Sequence, residues 1–325
     1  MIARRGPVRD TAAMSGPVTS EDAPPVGISD AATTDHVLEL TESREAVVGT
    51  TTVRRALPRR GRRTVGAWCF ADHMGPAQVT EREAVNIGPH PHIGLQTVTW
   101  LVAGEMLHRD SLGSEQKIRP GQLNLMTAGH GVAHAEEPTG HYRGTMHGIQ
   151  LWVAQPETTR HGAPAFEHHA DLPRLDLDHG VATVLVGDLD GASSPARRDT
   201  DHLGADLALR PGTTTLPLRR ECEHALVVLE GALTVDGARV TPGHLAYLGL
   251  DRDELALTTT GETRALLLGG VPFEGPILMW WNYVARTREE ITEAYEQWQA
   301  EGERFGAVAS SLPRIPAPPP LWRRP

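Results

Sequence analysis

The sequence predicts an all-β protein of two tandem barrel-like domains followed by a short C-terminal helix. Three observations carry that reading. Glycine (33) and proline (25) punctuate the 325 residues densely, as suits short strands joined by tight turns rather than long helices. One strand–turn–strand grammar occurs twice: Val102-Ala103-Gly104-Glu105 returns as Leu229-Glu230-Gly231-Ala232, and Arg119-Pro120-Gly121-Gln122-Leu123 as Thr241-Pro242-Gly243-His244-Leu245. The offset of about 125 residues marks a repeat at the scale of a whole domain. The clearest helix-start signals, followed by a helical stripe, lie near the C-terminus.

Taken in order, residues 1–40 are rich in Ala, Pro, Ser, Thr and Asp without apolar periodicity, which predicts a disordered tail. Met14 within it is a possible second start. A first β domain spans 41–165. Its basic run Arg54-Arg55-Ala56-Leu57-Pro58-Arg59-Arg60-Gly61-Arg62-Arg63 lacks interleaved aromatics and reads as a solvated loop before the strand Thr64–Phe70. Gly88-Pro89 and Gly94 bracket a turn feeding the strand Leu95–Val102, and Arg119-Pro120-Gly121-Gln122 turns the chain again. Gln155–Pro164 is the linker, and a second β domain spans 166–270. A bridging segment and helix fill 271–305. There Thr287-Arg288-Glu289-Glu290 forms a capping box, threonine and glutamate closing each other's amides. Ile291, Tyr295 and Trp298 then make one apolar face for packing. Residues 306–325 are Pro-rich and predicted to be unstructured.

The chemistry concentrates in His90-Pro91-His92 and His134-Ala135-Glu136. Residues two apart on a strand face the same way, so each pair aims two donor side chains at one side. Two such strands crossing near one point deliver three imidazoles and a carboxylate, a set suited to a divalent iron, manganese, nickel, copper or zinc ion. On an ion that prefers five or six ligands, positions stay open for water, dioxygen or substrate. The second domain has no equivalent. Positions counted from its own turn glycines fall on Pro217, Arg219 and Ala256, none of which binds a metal. Cys222 and His224 lie nearby and read as a buried thiol and a satisfied strand histidine.

The run Phe70-Ala71-Asp72-His73-Met74-Gly75-Pro76, the segment Pro89-His90-Pro91-His92, and Ala128-Gly129-His130-Gly131-Val132-Ala133-His134-Ala135-Glu136 together resemble the pirin family. The resemblance continues through His147–Val153, Val271-Pro272-Phe273 and Val284–Glu290, covering about residues 45 to 300. It implies two cupin domains (double-stranded β-helix, jelly-roll-like) with one metal site in the first. The family's ligands match His90, His92, His134 and Glu136, and the implied metal is iron(II). Two departures stand out: Ile93 where the family often carries Arg, and His130 where small or basic residues are common. Both are expected beside the metal. His130 either touches substrate or a ligand, or lies on an exposed loop. His147, Gln150 and Trp152 are expected to alternate between barrel lining and solvent.

Pirin-like proteins resemble quercetin 2,3-dioxygenases, so the first expectation is an enzyme opening planar phenols such as flavonols with dioxygen. Glu136 is its catalytic residue, either ligand alone or a base that takes a proton from a substrate hydroxyl. The second expectation is a redox-responsive iron regulator that binds a transcription factor or metabolic enzyme without turnover. The third is a structural metal. Composition excludes other classes. With 31 basic against 41 acidic residues, the net charge of −10 opposes non-specific attraction to nucleic acid or anionic membrane. No apolar run approaches the roughly 20 residues that span a bilayer. Two cysteines, Cys69 and Cys222, provide no disulfide framework, and the N-terminus lacks a secretory pattern. A cytoplasmic protein is expected.

Overall fold

The computed structural model describes residues 37–49, 51–80 and 85–323. Most of the predicted N-terminal tail, Met14 included, lies outside the described residues. Each domain is a seven-stranded sheet facing a four-stranded one. In the first domain the larger sheet runs, in spatial order, Ala165–His169, Leu123–Thr127, Leu95–Ala103, Gly144–Ala154, Trp68–Val79, Thr51–Leu57 and Arg44–Val48. The smaller runs Ile87–His92, Val132–Glu137, Met106–Asp110 and Glu115–Ile118. The second domain repeats the plan, its small sheet being Gly212–Pro217, Glu254–Thr259, Leu233–Val235 and Ala238–Val240. This is the tandem cupin architecture the sequence predicts.

The chain just after the described start departs from the expected tail. Glu39–Glu42 pairs with His244–Gly249 and so closes an edge of the second domain's large sheet. An unpaired edge strand exposes a row of backbone donors and acceptors, and the N-terminal segment covers this one.

The two large sheets pack face to face. Trp68, Val98, Ile149, Leu151 and Val153 from the first domain meet Ala225, Val227, Leu245, Leu266 and Leu268 from the second in one continuous core. Trp68 is its keystone: fully buried, it donates from Nε1 to Leu203 O at 2.9 Å and Gly269 O at 3.2 Å. Gly204 makes the room, because a Cβ there would stand 2.8 Å from the indole. The seam also holds polar groups. His73 and His147 face each other Nε2 to Nε2 at 2.9 Å, and His147 Nδ1 lies 3.2 Å from Glu230 of the second domain.

The barrel interiors differ. The second is filled by one apolar cluster, including Leu207, Leu216, Leu226, Leu255 and Leu257. The first is split in two: one cluster gathers around Phe70, Trp152 and Met279, another around Val53, Met74, Ile87 and Leu101. A buried group of histidines lies between those walls.

Three further expectations are corrected. Arg55 belongs to no solvated loop: it is 1 % exposed and grips Asp72 through two hydrogen bonds of 2.7 and 2.6 Å. The helix Arg288–Gln299 keeps only half of its capping box, with Thr287 Oγ1 accepting from the Glu290 N–H at 3.2 Å. The Glu290 carboxylate instead accepts from Arg286 N–H at 3.0 Å and from Arg160. The Pro-rich segment after residue 306 is packed. Prolines cannot donate to a sheet, but Ile315 N–H donates to Pro89 O at 2.9 Å and Ile315 O accepts from Trp298 Nε1 at 2.9 Å. Trp322 reaches Thr292 Oγ1 at 3.0 Å. That strap pins the helix to the strand carrying His90 and His92.

Two predictions follow from this packing. Trp68→Ala should lower unfolding free energy by about 3–5 kcal/mol, as large aromatic truncations do, read as a lower denaturant midpoint. Burial pushes His73 down to about 3 and His202 and His224 down to about 4, against 6.5 when free. The unfolded chain therefore binds protons that the folded chain refuses between pH 6.5 and 4, so stability rises with pH across that window. Denaturant midpoints of metal-free protein should fall as pH is taken from 6.5 to 4.5, and a flat profile would contradict these burials.

Candidate metal centre

The predicted strands do not cross; they lie side by side. Ile87–His92 and Val132–Glu137 are antiparallel neighbours with His134 directly opposite His90, and Val132 opposite His92. Cross-strand partners share a face, so three imidazoles project from one sheet into the barrel. A bulge between His134 and Glu136 shifts the carboxylate relative to its neighbours. His90, His92 and His134 each offer a ring nitrogen within 4.8 Å of the others, the one such triple among the described residues. All three are 2 % exposed or less, and Glu136 is 7 % exposed. Glu136 stands outside the triple but lines the same cavity.

Hydrogen bonds behind the rings decide what the site can hold. His90 Nδ1 lies 2.9 Å from Gly88 O and His92 Nδ1 lies 3.0 Å from Asn282 O. Carbonyls only accept, so each Nδ1 carries the hydrogen and each Nε2 is left as a bare lone pair. His92 Nε2 and His134 Nε2 stand 3.0 Å apart. If His134 Nε2 is bare as well, two lone pairs this close call for a cation between them. Protons do not serve well: burial pushes His90 down to about 4, and His92 and His134 well below their usual value, each imidazole also being disfavoured by its neighbours. Burial conversely pushes Glu136 up to about 7. Desolvation thus disfavours charge on all four groups, and a divalent ion is the species that would reverse this for the carboxylate. The donor set fits such an ion.

The cavity is small, about 40 Å³, with room for only a few waters. Its walls are Val48, Val53, Phe70, Met74, Ile87 and Trp152. Phe70 and Trp152 stack at 4.0 Å, and His92 meets the Trp152 ring edge-on at 5.2 Å. Gln150 also lines it and accepts from Thr99 Oγ1 at 2.9 Å.

The other expected site residues fall elsewhere. Ile93 faces away from the cavity, packed among Trp280, Trp281 and Tyr283. His130 is exposed on its loop, its backbone tied to Gly162 and Arg304, in a separate cleft. Neither departure from the family pattern touches the metal position. His147, an odd number of residues from Gln150, points to the domain seam. In the second domain Pro217 and Ala256 lie on neighbouring strands, as His90 and His134 do in the first, but both are exposed, and their neighbours Leu216 and Leu255 fill the interior. His224 is buried, yet among the described residues its Nδ1 has no hydrogen-bond partner, so it is not the satisfied histidine expected. Cys69 is fully buried, its thiol pushed up to about 12, and burial raises Cys222 as well.

Two residues escaped the sequence reading. His108 and Asp110 lie on Met106–Asp110, opposite Glu136 and His134 respectively. The signal was available: His108-Arg109-Asp110 has the same two-residue spacing as His134-Ala135-Glu136.

If this cluster is the metal site, His134→Ala should lose tight metal binding while Cys222→Ala keeps it, as measured by metal content after dialysis. Metal retained at full stoichiometry in the first variant would move the site elsewhere.

Two family models match, pirin over residues 50–153 and the pirin C-terminal cupin domain over 204–306. A Pseudomonas aeruginosa protein named "putative quercetin 2,3-dioxygenase" is 48 % identical over 292 residues, 89 % of this chain and 92 % of that protein. A pirin-like protein of Caulobacter vibrioides is 34 % identical over 266 residues, 80 % of this chain and 92 % of its own. The crystal structure of a quercetin 2,3-dioxygenase from Acinetobacter baumannii superposes with a TM-score of 0.84 at 43 % identity, covering 86 % of this chain and 95 % of that one. With lone pairs converging in one cupin barrel and a second barrel packed solid, the chain belongs to the pirin family.

Proposed function

We propose that this protein is a metal-dependent dioxygenase that opens flavonols such as quercetin, with His90, His92, His134 and Glu136 holding iron(II). The observation that carries the reading is the convergence of bare imidazole nitrogens and a buried carboxylate on an apolar cavity. The names of the Pseudomonas and Acinetobacter relatives support the substrate class. Iron held there would supply Lewis-acid and redox chemistry toward dioxygen, and manganese, nickel, copper or zinc suit the same donors. The protein's own residues do the rest. Phe70, Met74 and Trp152 exclude water and present flat apolar walls to a planar phenol. Glu136 takes the proton from the enolic hydroxyl of the substrate, and the surrounding apolar walls keep that proton from exchanging with bulk water. Gln150, oriented by Thr99, offers a polar contact at the cavity edge.

A cavity of about 40 Å³ does not hold a flavonol as it stands. Entry requires a wall to yield. The edge strand Arg44–Val48 supplies Val48 to that wall and has no fully buried residue, so it opens at least cost. The same narrowness favours a second reading: an iron regulator whose oxidation state alters affinity for a protein partner. The buried free thiols Cys69 and Cys222 suit the reducing cytoplasm we propose for either role. No helix of the described residues is long and apolar enough to cross a membrane.

Dioxygen uptake by anaerobically iron-loaded protein separates the readings. Quercetin should trigger stoichiometric uptake, and Glu136→Gln should cut turnover about 10²–10⁴-fold, the usual loss on removing a positioned base. Iron-loaded protein that consumes no dioxygen with any flavonol would transfer the case to the regulator.

A further inference from the structure

His134 differs from the other two imidazoles in what stands behind it. His90 and His92 rest on backbone carbonyls, whereas His134 Nδ1 lies 3.4 Å from Nδ1 of a fourth buried histidine, His108. His108 Nε2 in turn lies 3.0 Å from Asp110 Oδ2. Asp110 is fixed as an acceptor: its Oδ1 takes the N–H groups of Leu112 and Ser114, each at 2.9 Å. Burial raises its pKa, yet the hydrogen bonds from His108 and Ser114 outweigh that and hold the carboxyl below its usual range. The ring of His108 is clamped from the side by Phe166, stacked at 4.3 Å and 12°.

The hydrogens follow from this arrangement. An ionised Asp110 only accepts, so His108 Nε2 carries a hydrogen, and in the single-hydrogen tautomer Nδ1 is a lone pair facing His134. The one hydrogen between the facing Nδ1 atoms then belongs to His134, and His134 Nε2 is left bare toward the cavity. Strand register builds the relay, because Asp110 sits opposite His134 and His108 opposite Glu136 on the same face.

We propose that His108 is a positioning residue, which with Asp110 fixes the tautomer and ring angle of His134 for metal binding. The inference rests on the metal assignment above and deepens it. Partners behind a ligating histidine set its basicity and orientation, and their loss commonly weakens metal binding about 10–100-fold.

The test compares two variants by chelator competition for iron(II) or zinc. His108→Phe keeps the ring and its stack on Phe166 but removes the acceptor, and should weaken metal binding about 10–100-fold. His108→Asn places a carbonyl oxygen near the lost Nδ1 and should restore affinity to within a few-fold of wild type. A merely structural role predicts the reverse order, since asparagine forfeits the packing. If His108→Phe does not fold, long-range proton–nitrogen correlation on zinc-loaded wild type reads the tautomer directly, with hydrogen on His108 Nε2 and none on Nδ1. Wild-type affinity in His108→Phe, no recovery in His108→Asn, or hydrogen on His108 Nδ1 would each overturn the proposal. Wild-type protein that binds no metal would instead overturn the metal assignment itself.

Discussion

The convergence of imidazole lone pairs inside an apolar barrel governs the rest of the first domain. Each Nδ1–H of His90 and His92 is spent on a carbonyl behind it, leaving acceptors with nothing to accept from one another. Such an arrangement is unfavourable for the protein alone, because buried polar groups without partners cost more than their hydrogen bonds return. It persists because the sheet around it is over-determined. The ligand strand is held on one side by its antiparallel neighbour and partway along its length by the C-terminal strap through Pro89. Asn282, whose carbonyl orients His92, lies 190 residues away in the turn of the hairpin Leu278–Trp280 and Tyr283–Ala285. The bridging segment thus serves the site directly.

The second domain shows what the same fold does without this constraint. Leucines and valines fill its interior in one cluster, where the first barrel divides its apolar side chains around the histidines. A solid barrel packed against the first through Trp68 and the large-sheet face offers rigidity at the back of a cavity that holds its ligands from the front. Division of labour between two copies of one architecture explains why the candidate site of the first barrel is accompanied by a second barrel: the apolar face of the first large sheet has to be covered, and the second sheet covers it.

Much of this was legible in the residues. Period-two spacing in His90-Pro91-His92 and His134-Ala135-Glu136 carries face information directly, and turn glycines fix where strands begin, so the clustering of the three histidines and the tandem repeat could be read. The supporting partners could not. Backbone carbonyls such as Gly88 O and Asn282 O have no sequence signature, and His108 is recognisable only once register sets it against Glu136. Arg55 looked solvated because composition cannot show that Asp72, seventeen residues on, neutralises it on the adjacent strand. Ile93 and His130 adjoin ligands in sequence but not in space, since neighbouring strand residues face opposite ways and a loop glycine turns the chain aside. The Pro-rich end reads as unstructured from composition, which is blind to a helix and a strand edge waiting to receive it.

X-ray absorption at the iron edge of reconstituted protein tests the central claim most directly. Three imidazole nitrogens and one or more oxygens around a single iron are predicted, with the imidazole multiple scattering falling by one ring in His134→Ala. A shell with fewer than three imidazoles, or one containing sulfur, would contradict it.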